Sequence, residues 1–281
     1  MKKILNVMLP IFIMVIVACI CIGIYFAFTN GTGKKTENNT TNVENTTESV
    51  ILTQEELPRI GCSGITKQLS SAIIKDFTQE KNLVDNVLDV ESTEQGFNQL
   101  IKDEVDVLIS TYPTTDILTL AKANGIDLEI TPIAKDGFVF FTNVGNTVDS
   151  LKVSDIQKIY TGQIKNWSQI GGDTIDIKAF QSPENSSVQN EMISSVMKNL
   201  EMVGAPKDVF YARGYGEISD LIATYDNTEG ALGYSYYYAT QILYDTDAKV
   251  NNTIKILKVN GVMPSYDTIK KNDYPIISNY Y

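Results

Sequence analysis

The chain has 281 residues, 23 basic and 34 acidic side chains, a formal net charge of −11 and no histidine. An acidic chain without a basic stripe has nothing to displace counterions from a phosphate backbone, which excludes nucleic acid as a partner. Without histidine there is no Ser-His-Asp or Cys-His catalysis and no imidazole zinc ligand, so the expectation is a non-enzyme with no cofactor and no metal.

From the amino terminus, Lys2 and Lys3 precede residues 7–28, a run without a charged side chain. At about 1.5 Å per residue a helix of that length crosses the ~30 Å hydrocarbon layer, so residues 1–29 read as a membrane anchor. The competing reading is a lipoprotein signal, since Ile16-Val17-Ala18-Cys19 resembles a lipobox with Cys19 as the lipidated residue. The very apolar stretch after Cys19 favours the uncleaved helix. Residues 30–56 are rich in Asn, Thr and Glu, bury too little apolar surface to offset the entropy of ordering, and read as a flexible tether. Cys62 is then the one cysteine of the folded part, which precludes an internal disulfide and reads as a small buried residue.

From residue 57 onward, short apolar runs alternate with helical patterns, the signature of an α/β protein with crossover connections. Strands are expected over 58–62, 83–90, 105–110, 130–133, 138–142, 175–180 and 230–236. Helices are expected where Ile65, Leu69, Ile73, Ile74 and Phe77 mark one face, over 94–102, and where Val188, Met192, Val196 and Met197 recur. In 153–173, VSDIQKIYTGQIKNWSQIGGD, Ser154 can cap a helix whose apolar face is Ile156, Ile159 and Tyr160, and Gly162 supplies the stop. Trp167, in the loop that follows, reads as a packing residue. The run Tyr234 to Tyr238 reads as core and rim along a strand edge.

The segment 153–173 resembles the "DI..I..G.I.NW...GG" segment of the extracytoplasmic phosphate-binding proteins of ABC importers. The strand Val105-Asp106-Val107-Leu108-Ile109-Ser110, the GALGYSY run at 230–236 and the end of the chain at 272–280 match further segments of that family in the same order. The resemblance covers about 58–281. It implies an α/β, two-lobed periplasmic-binding-protein-like fold of type II with a ligand cleft between the lobes, preceded here by the transmembrane helix. Lobe 1 would take about 57–136 and 235–281, and lobe 2 about 137–234.

Such a fold binds an anion by aiming helix-start amides and hydroxyls at it. By resemblance the candidate ligand-binding residues are Ser63 and Thr66 at the first helix, Thr93 at the second, Ser110 and Thr111 after the third strand, and Asn185, Ser186 and Ser187 in the second lobe. Two family residues are replaced: an arginine by Ser182, and by Thr111 an aspartate that accepts the proton of hydrogen phosphate. Lys67 and Arg213 are candidate substitute cations. The expected function is a membrane-tethered solute-binding protein at the extracytoplasmic face, held by a single span or a lipid, with a small phosphate-like oxyanion as ligand and an ABC importer permease as partner. The alternative is a sensor or interaction domain on the same fold with altered or lost ligand binding.

Overall fold

The computed structural model describes residues 52–53, 56–78, 87–90, 92–182, 186–198, 200–204, 228–246 and 252–281. The expected anchor over 7–28, Cys19, most of the tether, Asn185 and Arg213 lie outside the described residues. Among the described residues no helix is long and apolar enough to cross a membrane.

Residues 57–109 form a parallel strand-helix repeat. The strand β1 (Ile60–Ser63) leads through a 3-10 turn at Gly64–Thr66 into α1 (Lys67–Thr78). It is followed by β2 (Val87–Val90), α2 (Thr93–Ile101) and β3 (Val107–Ile109). In this sheet β1 lies between β2 and β3, with Ile60 opposite Val87 on one side and Val107 on the other. All four residues of β1 are buried, and Ile60, Cys62, Ile74 and Ile109 form a small core between sheet and helix. A helix α3 (Thr115–Ala123), which the apolar pattern did not announce, then leads towards the second sheet.

The second sheet is organised by β4 (Ala134–Asn143). Its first half pairs antiparallel with β10 (Ile277–Tyr280), Gly137 opposite Ile277. Its second half pairs with β7 (Ala231–Tyr236) on one side and β8 (Ile254–Ile256) on the other. A strand flanked on both edges and covered on both faces is apolar throughout, and Phe138 to Phe141 are fully buried. The short β6 (Lys178–Ala179) joins β7 in parallel, and β5 (Ser150–Leu151) pairs with β9 (Lys258–Val259). The two larger sheets meet where Ser110 and Tyr281 exchange backbone hydrogen bonds of 2.9 and 2.8 Å.

Around β4 the core is aromatic: Phe138 meets Phe140 and Tyr236 edge to face, and Tyr160 meets Tyr234 the same way. Tyr160 comes from α4 (Val153–Tyr160), whose buried residues are Ile156, Ile159 and Tyr160, as their spacing predicts. Ser154 is not the cap. The helix begins two residues earlier, with Lys152 at the capping position and the Asp155 carboxylate accepting from its N–H at 3.3 Å. Gly162 does end the helix, at φ +74°. The helix α5 (Ser187–Glu191) continues through a π-type turn at Met192–Met197 and buries Val188, Met192, Val196 and Met197.

Three expected elements differ. Residues 130–133 form no strand, because Pro132 lacks a donor and only the Ile133 N–H reaches the sheet, at the Tyr280 carbonyl. The strand over 175–180 shrinks to β6, since Ile175 and Ile177 bond instead to Trp167 and Lys165. The tyrosine run leaves the strand after Tyr236 and continues as helix α6 (Tyr237–Thr246). The last helix is α7 (Tyr266–Lys270).

Trp167 is core, with its indole N–H donating to the Gly230 carbonyl at 3.1 Å. A Cβ on Gly230 would overlap the Asp176 carbonyl oxygen, a backbone atom that no rotamer change can move. Gly230→Ala therefore should lower unfolding free energy by about 1–3 kcal/mol, the range for overpacking, in urea-monitored unfolding of the protein.

Candidate functional site

Three helix starts converge on one cavity of about 400 Å³. Each start carries two hydroxyl residues in a row, and the two divide the work. The first caps its own helix: Ser92, Thr114 and Ser186 accept from the N–H groups of Gln95, Ile117 and Gln189 at 3.2, 3.3 and 3.1 Å. The second, at the first helical position, is Thr93, Thr115 or Ser187; all three lie in the cavity wall and do no capping. The wall is completed by Glu94, Asp116, Ile117 and Asn190, together with the capping residues Thr114 and Ser186. Asn190 ties α5 to the loop after β3 by donating to the Tyr112 carbonyl at 3.3 Å.

The electrostatics are those of oriented dipoles without a cation. Each helix start presents unpaired N–H groups and partial positive charge. Among the described residues no lysine or arginine lines the cavity, and two exposed carboxylates, Glu94 and Asp116, sit in the first turns of α2 and α3. Arg59 is engaged elsewhere, bridging Asp103 and Asp106 at 2.9 and 2.8 Å on the first sheet. Chemically, the site can offer hydroxyl and amide donors to a small oxygen-rich ligand. A second cavity, about 450 Å³ at the carboxyl end of α3, is lined by Leu118, Ala121, Lys122 and residues 125–128 and brings no helix starts together.

A family model for the PBP superfamily domain matches residues 38–281 of the chain. The chain belongs to the PBP superfamily. Within it, the curated relatives include the phosphate-binding protein PstS of Borreliella burgdorferi, 23% identical over 231 residues that span 80% of this chain and 77% of that one. PstS of Bacillus subtilis is 24% identical over 220 residues, 77% of this chain and 66% of that one. Two solved structures have the same fold. One, from Clostridium perfringens, is assigned as a phosphate ABC transporter substrate-binding protein and holds bound phosphate, with TM-score 0.59, 19% identity, and coverage of 79% of this chain and 84% of that one. The other is an ABC-type phosphate transport receptor from Vibrio cholerae, with TM-score 0.57, 19% identity and the same coverage. The chain is thus a divergent relative of phosphate-binding proteins.

In this PBP domain the residues singled out from the sequence fall into two groups. Thr93, Ser186 and Ser187 come together in the cavity wall. Ser63, Thr66, Ser110 and Thr111 are buried outside that wall. The Thr66 hydroxyl donates to the Ile109 carbonyl at 2.6 Å and accepts from the Ser63 N–H at 3.1 Å, tying the end of β1 to β3. The hydroxyls of Ser110 and Thr111 are buried without a hydrogen-bond partner. Lys67 is exposed on α1, away from the cavity wall. At Ser182 the backbone N–H donates to the Tyr234 hydroxyl at 3.2 Å, and that hydroxyl donates to Gln189 on α5, so neutral hydrogen bonds occupy the position. Thr114, Thr115 and Asn190 escaped the sequence reading. The doubled hydroxyl before a helical pattern, present at 92–93 and 186–187, was the signal that could have found its third copy at 114–115.

Outside the cavity wall, β4 carries a buried carboxylate. Asp136 is 3% exposed and accepts from the Gly137 N–H at 2.7 Å, the Tyr238 N–H at 3.1 Å and the Tyr280 hydroxyl at 2.6 Å. Burial outweighs these donors and pushes its pKa up from 3.8 to about 6. The folded state therefore holds this proton more tightly than the unfolded chain. Its stabilising contribution is fully present below about pH 4 and is lost as pH rises through about 6, a change on the order of 3 kcal/mol. Asp136→Asn should flatten that part of a stability-versus-pH profile measured by urea unfolding between pH 4 and 7. The capping hydroxyls give a separate expectation. Ser92→Ala and Thr114→Ala should each cost about 0.5–2 kcal/mol of stability in the same assay, the range for a lost N-cap.

Proposed function

We propose that the chain is a solute-binding protein of an ABC importer, tethered at the extracytoplasmic membrane face by residues 7–28 or by a lipid on Cys19. On this reading the cavity at the three helix starts is the cleft between two lobes, about 57–136 with 235–281, and about 137–234. Its ligand is phosphate or another small oxyanion. The observation that carries the reading is the repeated pairing of a capping hydroxyl with a second, uncapped hydroxyl at three helix starts around one cavity. Helix amides and neutral hydroxyls bind oxyanions without a formal positive charge. The names of the relatives, phosphate-binding and phosphate-transport proteins, support the same ligand class.

Direct contacts fall to Thr93, Thr115 and Ser187 and the amides beside them, with Asn185 and Ser186 at the same loop. Ser63, Thr66, Ser110 and Thr111 shape the loops behind. A sensor or interaction role is the second reading, favoured by the two carboxylates and the lack of a cation in the described wall. Calorimetric titration of phosphate and sulfate into the protein separates the two. Binding of phosphate, weakened by about 0.5–1.5 kcal/mol in each of Thr93→Ala and Ser187→Ala, is the expected result, as for a lost neutral hydrogen bond. No heat with either anion would leave the sensor or interaction reading standing.

A further inference from the structure

One acid directly behind the cavity has no role in the reading above. Glu191 lies four residues after Ser187 on α5, one helical turn deeper on the same face, and directly follows Asn190. It is 9% exposed, and its carboxylate accepts from the Ser195 hydroxyl. No ion pair to it is found among the described residues.

The groups that face Glu191 come from four elements. Ser195 belongs to its own helix. From β10, the Ser278 hydroxyl, buried without a hydrogen-bond partner, favours the ionised form of the carboxyl. From β7, Tyr236 is within range of its charge, and the Tyr236 hydroxyl donates to the Ser187 carbonyl at 3.3 Å, at the cavity wall. From β4, Asp136 feels the same charge. Glu94 and Asp116 add negative charge from the opposing helices of the wall. No described cation stands in the wall to offset an ionised Glu191. The Ser195 and Ser278 hydroxyls favour the ionised carboxylate, and burial among carboxylates and without a described cation opposes it. Burial already holds the carboxyl's pKa above its ordinary value.

We propose that Glu191 is a proton-linked control on the cavity: an oxyanion binds there together with a proton on Glu191, and ionisation of Glu191 expels the anion. The inference rests on the reading of the cavity as an oxyanion site. By linkage, an anion that favours the protonated acid is itself favoured by it to the same degree. A unit charge about one helical turn behind the donors changes anion affinity by about tenfold or more at the effective dielectric of a protein interior.

The test is calorimetric titration of sulfate, which does not titrate in this range, into the full-length protein and Glu191→Gln at pH 5.5 and 8. Each titration is run in two buffers of different ionisation enthalpy, which count the protons taken up. A parallel phosphate series reads the same difference between the two proteins. The expected result is proton uptake by the wild type that the variant lacks, and anion binding tighter by about tenfold or more in the variant at pH 8. The wild-type proton count stands by itself should the variant fold poorly, and zero uptake there overturns the proposal. Anion binding with equal proton counts in both proteins overturns the proposal but leaves the oxyanion reading intact. No binding of either anion at either pH overturns both.

Discussion

The structure depends on a single strand. β4 pairs with β10 over its first half and with β7 and β8 over its second, so one continuous backbone serves two sets of neighbours. That constraint explains its composition. Phe138 to Phe141 have no solvent face to present, and they are apolar without alternation. It also explains the position of Asp136, which sits just before the change of partner, where the Gly137 and Tyr238 amides and the Tyr280 hydroxyl can all reach it. A buried carboxylate with three donors is a costly way to pin a strand. It does fix β4, β10 and the start of α6 to one another with directional bonds that a methyl group could not supply.

The cavity is positioned by the same constraint from a distance. Its walls come from α2 and α3, which follow strands of the first sheet, and from α5, which packs against β7 of the second. Asn190 of α5 bonds across to the Tyr112 carbonyl after β3, and Tyr236 of β7 holds the start of α5 through the Ser187 carbonyl. Both bonds end on backbone carbonyls at loop or helix-start positions, so they set distance and leave side chains in the wall uncommitted. Polar groups that would normally be paired remain unpaired close by, at Ser110, Thr111 and Ser278. Buried hydroxyls without partners are uncommon in folded proteins.

Much of the fold was legible in the residues, and the reasons for the misses are local. The face Ile156, Ile159, Tyr160 and the stop at Gly162 emerged because helix period and a positive-φ glycine are both written in adjacent residues. Ser154 misled because a serine beside a helix is a capping signal, yet the Lys152 amide finds the Asp155 carboxylate and starts the helix earlier. The tyrosine run at 234–238 could not reveal its break after Tyr236, since tyrosine serves strand and helix alike. What ends the strand there is the Asp136 carboxylate taking the Tyr238 N–H, a partner 102 residues away. The site was legible only in halves. Family resemblance pointed to Thr93, Ser186 and Ser187, which do share a wall, and to Ser63 and Thr66, whose hydroxyls pair with each other while that of Thr66 also bonds to backbone groups.

A hydroxyl at a helix start is ambiguous in sequence because capping and ligand binding ask for the same residue. Here geometry separates the two by a single position. A side chain at the capping position has extended backbone and curls over its own N–H groups, as Ser92, Thr114 and Ser186 do. The next residue has helical backbone and does no capping, and at all three helices it lies in the cavity wall. Placing a hydroxyl at both positions therefore satisfies the helix first and leaves a donor over. With one such pair, the surplus would be an accident of composition. Three pairs on three separate helices line one cavity that lacks a described cation, and on the oxyanion reading affinity there would come from geometry because charge is absent or opposed. On the oxyanion reading, a site of that kind would be more sensitive to a nearby carboxylate than one that holds an arginine.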